Sequence, residues 1–195
     1  MMKSRLATLV ALSITILASI PTADAHSMGT ENAGFIIGLT HPFMGLDHLL
    51  AMIAVGIWAA QRGGSAVWRL PLSFIVVMSV AALISASGFN IPALEPLITG
   101  SVVLLGLMVV FAIRLPINLS MLLVGLFAVV HGYAHGLEIP QASSAILYGS
   151  GFVLATTLLH LIGIGLGKVA YRKHLLSRLS GSIIAIAGLY LATAV

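Results

Sequence analysis

The 195-residue sequence contains no cysteine. That excludes a disulfide framework, a thiolate zinc site and an iron–sulfur cluster, so any metal chemistry falls to His, carboxylate or Met. Charge is also scarce: nine Lys plus Arg and five Asp plus Glu make up 7% of the chain, against roughly 25% in an average soluble domain. With 59% hydrophobic residues and a mean hydropathy of +1.14, the chain is too apolar to hide its surface in one compact core. The solvent this implies is lipid. The formal charge of +4 is dispersed between apolar runs and forms no basic patch, which argues against a nucleic-acid partner. No ATP-binding motif is present, since Gly163, Gly165 and Gly167 lack Walker surroundings.

What is present begins with a targeting pattern. Lys3 and Arg5 precede the apolar run Leu6 to Ile20, and Pro21-Thr22-Ala23-Asp24-Ala25 ends in a small-x-small cleavage pattern. This predicts a signal peptide over 1–25, with His26 as the mature N-terminus of a domain spanning 26–195. The alternative is an uncleaved span, for which the run is short against the roughly 20 residues a bilayer requires.

Charge-free stretches divide the remainder. They predict an all-α polytopic membrane protein with six transmembrane helices, placed at 34–60, 70–88, 93–113, 117–135, 143–168 and 179–194. Gly63-Gly64, Asn90-Ile91-Pro92, Pro116 and Pro140 act as breakers between them. Setting aside Lys3 and Arg5, the basic residues Arg62, Arg69, Arg114, Lys168, Arg172, Lys173 and Arg178 all fall on one side of this arrangement. Glu31, Glu95 and Glu138 fall on the other. The positive-inside pattern then predicts both mature termini on the outer side. Trp58 and Trp68 flank the first inner loop, where indoles favour the interface.

Several polar residues stay inside the predicted spans. The first helix carries His41-Pro42-Phe43-Met44-Gly45-Leu46-Asp47-His48, and a carboxylate near a helix centre costs about 2.5–3.5 kcal/mol to insert. A functional role for Asp47 is the default expectation. His41 and His48 would lie about 10 Å apart on an unbroken helix, but Pro42 permits a break that folds His41 back toward Asp47 and His48. The structural alternative is a kinked helix whose His and Asp only bond each other.

The fourth helix ends His131-Gly132-Tyr133-Ala134-His135-Gly136-Leu137-Glu138. His131 and His135 stand at i, i+4, a spacing that lets both imidazoles reach one metal or two successive stations. Gly132 and Gly136 form a small-xxx-small strip expected to admit the first helix. Glu138 can complete the site from the outer mouth or serve as a solvated loop charge. For the His pair the alternative is two buried, hydrogen-bonded histidines. His160 and His26 are further metal candidates, against a satisfied core histidine and an unstructured terminus respectively. Met44 and Met52 read as packing, Glu95 as a carboxylate complementing a helix start, and His174 as a solvated loop residue.

Together, HPFMGLDH, HGYAHGLE, the signal and the six spans resemble the HupE/UreJ family of bacterial nickel/cobalt permeases. In that family the first motif reads His, five residues, Asp-His, and the second reads Phe-His-Gly-x-Ala-His-Gly-x-Glu. His41, Asp47, His48, His131, His135 and Glu138 match, while Val130 departs from the usual Phe. The resemblance implies a permease rather than an enzyme, with Ni²⁺ or Co²⁺ as transported substrate for hydrogenase or urease maturation and no permanently bound cofactor. Ligand chemistry alone admits Ni²⁺, Co²⁺, Zn²⁺ and Cu²⁺. Two other readings use the same residues: a membrane zinc metallohydrolase with Glu138 as base, and a haem protein with His48 and His131 or His135 as axial ligands. Six spans also divide into three plus three of opposite orientation, each half opening with its His-rich helix. That parity suggests inverted repeats meeting at a midplane site, with the first and fourth helices packed together.

Overall fold

The structure, a computed structural model, describes residues 30–140, 144–171 and 173–194. The expected signal segment 1–25, His26 and Arg172 lie outside them. The described residues form seven α-helices and no strand: α1 Thr30–Thr40, a single 3-10 turn His41–Phe43, α2 Leu46–Arg62, α3 Ala66–Ser85, α4 Leu94–Val110, α5 Ile117–Leu137, α6 Ala145–Tyr171 and α7 His174–Ala192. Four of them, α3, α5, α6 and α7, are long and apolar enough to cross a bilayer, and α4 is a shorter apolar helix of 17 residues.

The expected continuous helix over 34–60 is broken. Gly34–Phe43 and Leu46–Arg62 meet at 77° and pass the length and hydropathy requirement for a span only as a pair. Pro42 removes a backbone donor at this point, and Gly45, with φ −101° and ψ 116°, supplies the extended residue that starts α2. The other helices overrun the charge-free stretches: α3 begins at Ala66, α6 continues to Tyr171 and α7 starts at His174. Charged residues mark where a chain leaves hydrocarbon, but Lys and Arg are good helix formers and do not stop the helix there.

The surface is inverted relative to a soluble protein. Leu83, Val169 and Ile183 are exposed, whereas His131, His135 and His160 are buried. Between lipid-soaked helices there is no hydrophobic drive to associate, so small residues that admit close backbones matter most. Four helix pairs pack tightly, with glycines at each contact, Gly38 and Gly151 serving that between α1 and α6. A Cβ on Gly132 would fall on the Met78 carbonyl and one on Gly136 on Ala82, joining α5 to α3. Gly56 and Gly163 oppose each other between α2 and α6, and Gly106 and Gly181 do so between α4 and α7.

Two expectations are corrected here. The Gly132/Gly136 strip admits α3, not the first helix, and α2 and α5 are not among the closely packed pairs. They meet through long side chains instead, because α3 occupies the close face of α5. Trp58 is fully buried among the helices, and its indole N–H donates to the Ile113 carbonyl at 2.9 Å. A buried indole with a carbonyl partner satisfies its one polar group without the interface. Trp68 does lie exposed, with the Arg69 guanidinium 5.3 Å from its ring centre.

Candidate metal centre

The break between α1 and α2 and the last turns of α5 converge on one group of polar side chains. His41 leaves the 3-10 turn, Asp47 and His48 leave the first turn of α2, and His131 and His135 leave α5, with Glu138 just past its end. The four imidazoles form a continuous series. Ring centres lie 5.0 Å apart for His41–His135, 3.9 Å for His135–His48 and 4.9 Å for His48–His131. The chain does break at Pro42, but His41 folds toward His135 and Glu138 and not to Asp47 and His48 as expected.

At the exposed end of the group, one donor atom each from His41, His135 and Glu138 lies within 4.8 Å of the other two. His41 Nε2 stands 2.9 Å from Glu138 Oε2 in a hydrogen bond. His135 Nδ1 is 3.2 Å from the same oxygen but out of line for a hydrogen bond, so both nitrogens of this buried ring lack a partner. An unpartnered buried imidazole is costly. Adjacent His135 and His41 hold the Glu138 carboxyl well below the usual carboxylate range, although the side chain is 49% exposed. The group is thus an anion at the exposed end of the cluster, at the negative end of the α5 dipole, where a cation is favoured.

Deeper, His48 Nδ1 lies 2.9 Å from His131 Nδ1, and His131 Nε2 lies 2.9 Å from Ser101 Oγ on α4. His131 thus meets His48 and Ser101, while His135 lies against His48, His41 and Glu138. Asp47 is not near a helix centre, as a continuous first span implied. It occupies the first turn of α2, where its Oδ1 accepts the His48 backbone N–H at 2.8 Å. A carboxylate at a helix start is stabilised by the dipole and by orphan N–H groups, which offsets part of its insertion cost. The same Oδ1 lies 3.7 Å from His48 Nε2.

The remaining candidates separate. His160 is buried on α6, its Nδ1 donating to the Thr156 carbonyl at 2.8 Å and its Nε2 lacking a partner. The Phe74 ring lies 5.9 Å from His131 and 5.3 Å from His160, and the one hydrogen bond of His160 goes to the Thr156 carbonyl and not to the other histidines. Met44 is exposed, Met52 is in the core, Glu95 is in the first turn of α4 and His174 is exposed. Sequence reasoning passed over Ser101, Tyr148 and the Phe74 and Phe152 walls. Ser101 had a signal, being one of few polar residues in the charge-free run from Pro96 to Ile113; the aromatic residues had none, since apolar rings are ordinary in any span.

The chain was compared with known proteins. The model of the HupE / UreJ protein family matches residues 14–191. Protein HupE of Rhizobium leguminosarum bv. viciae is 40% identical over 181 residues, covering 92% of this chain and 94% of that protein. No solved structure matches. A family match over most of the length, including both histidine motifs and the helices that bring them together, places the chain in the HupE/UreJ family.

Proposed function

We propose that the protein is a six-span inner-membrane permease for a divalent transition-metal ion, Ni²⁺ or Co²⁺, that supplies metalloenzyme maturation such as that of hydrogenase or urease. The observation that carries this reading is the convergence of His41, His135 and Glu138 within 4.8 Å around an imidazole with two unpartnered nitrogens. Imidazole and carboxylate suit Ni²⁺ and Co²⁺, and family membership favours these ions over zinc or copper. The ion is substrate, not a resident cofactor. Glu138, His135 and His41 collect partly dehydrated ion from the outer side, and His48 with Asp47 receives it, the carboxylate offsetting charge where water is scarce.

Six spans, with a cleaved signal over 1–25 and both mature termini outside, fit the one-sided distribution of Arg62, Arg69, Arg114, Lys168, Lys173 and Arg178. The bent α1–α2 pair and the short α4 then join the four longer helices. The expected 3+3 repeat is not part of this reading, because its first and fourth helices do not pack closely together and the contacts of α2 with α3 and α4 have no comparable counterpart between α5 and α6 or α7.

Uptake of a panel of divalent cations into proteoliposomes, with and without a proton gradient, tests the reading. Wild-type protein is expected to accumulate Ni²⁺ or Co²⁺ and the His135→Ala variant to lose that uptake. Equal uptake by both overturns the assignment.

A further inference from the structure

We propose that Ser101 and His131 form a relay that sets the proton order of the buried histidines, reserving His48 Nε2, beside Asp47, as the ligand atom of the inner metal station. The proposal rests on the permease reading and deepens it by separating ligands from the residues that orient them.

The proton order follows from counting hydrogens. The Ser101 hydroxyl has one, and Oγ lies 2.7 Å from the Ile98 carbonyl, which can only accept, so the hydroxyl donates there. Ser101 Oγ must then accept from His131 Nε2 at 2.9 Å, which places the His131 proton on Nε2. A neutral imidazole carries one N–H, so His131 Nδ1 is a lone pair. His48 Nδ1, 2.9 Å away, must donate to it, leaving the lone pair of His48 on Nε2. That atom faces Asp47 Oδ1 at 3.7 Å, and Oδ1 already accepts the His48 backbone N–H. No proton lies between the two acceptors. A cation with metal–nitrogen and metal–oxygen distances of about 2.0–2.2 Å spans such a gap and removes the repulsion.

His131 therefore has both nitrogens committed, whereas His135 has neither. The first behaves as an orienting residue and the second as a ligand. Ser101 prevents the reverse order. Were His131 to carry its proton on Nδ1, it would donate to His48 Nδ1 and push the His48 proton to Nε2. That N–H would turn to Asp47 and close the ligand atom. Ser101 belongs to α4, outside both histidine motifs, so it acts on the site only through His131.

The test uses the full protein in detergent with ¹⁵N-labelled histidine, read first without metal. Resonances are assigned with His48→Asn and His131→Asn. The expected wild-type tautomers are Nε2–H for His131 and Nδ1–H for His48. Ser101→Ala is expected to populate the reverse order, and Ser101→Thr, which keeps the hydroxyl, to retain the original. Zn²⁺, a diamagnetic stand-in for Ni²⁺, should move the His48 Nε2 resonance and leave His131 Nδ1 in place. Its affinity should fall about 10–100-fold in Ser101→Ala, the range for loss of an orienting partner, and recover in Ser101→Thr. Reverse tautomers in the wild type, or unchanged tautomers in Ser101→Ala, overturn the relay alone. Zinc that leaves every wild-type histidine resonance unmoved overturns the ligand assignment and the permease reading with it.

Discussion

His41 Nε2 and Glu138 Oε2, 97 residues apart in the chain, share a hydrogen bond of 2.9 Å that ties the break after α1 to the end of α5. Glu138→Gln preserves shape but removes the anion. Ni²⁺ affinity measured by calorimetry is expected to fall about tenfold or more, the factor that roughly 1.4 kcal/mol of lost ligand energy produces. Unchanged affinity would remove Glu138 from the mouth of the site.

Acid sensitivity should come from the imidazoles and not from this carboxyl. Imidazoles bind metal only when neutral, so uptake is expected to weaken as external pH is lowered. Glu138 behaves differently because its folded value lies below the ordinary 4.5. The stability it contributes is fully present above that ordinary value and is lost only as pH falls further, through the depressed folded value. The melting-temperature difference between wild type and Glu138→Gln should therefore stay constant from about pH 8 to about pH 5.5 and shrink only below about 4.5. A difference that vanishes already at pH 6 contradicts the hydrogen bonding that holds the Glu138 carboxylate here.

Close approach of α5 to α3 depends on the missing side chain at Gly132, where a Cβ would meet the Met78 backbone. Gly132→Leu is expected to destabilise the protein by about 1–3 kcal/mol, as overpacking does, and to displace His131 and His135 with it. Gly149→Ala, where nothing lies within 4 Å of the added carbon, is the control. Thermal melts in detergent should show a loss only for the first variant.

Pro42→Ala restores a backbone donor at the break and lets α1 and α2 approach one continuous helix. His41 would then swing away from Glu138 and His135. Weaker Ni²⁺ binding, with His48 resonances changed less than those of His41, is the expected outcome in ¹⁵N-histidine spectra. Unchanged binding would mean that Gly45 alone maintains the 77° bend.

The histidine motifs illustrate what could be read from residues in order. His131 and His135 at i, i+4 must share a helix face whatever surrounds them, and Pro42 announced a break that would bring His41 inward. The spacing could not say that His135 would face His41 and Glu138 while His131 faced His48 and Ser101, because that depends on which helix lies against each turn. Asp47 shows the same limit. Its position as the only charge between Glu31 and Arg62 marked it as functional, yet its seat in the first turn of α2 follows from where the helix breaks.

Composition and charge spacing were sufficient for the membrane class, the all-helical fold and the identity of the polar group, since each reflects a local rule: transfer of apolar residues to lipid, obligatory internal hydrogen bonding, fixed helical periodicity. Partner choice between helices was a tertiary matter. In lipid, where helices gain nothing from hiding apolar surface, it is decided by shape, and the same Gly132/Gly136 strip could have received either of two neighbours. That choice of α3 over α2 left room for long side chains between α2 and α5, and the histidines fill it.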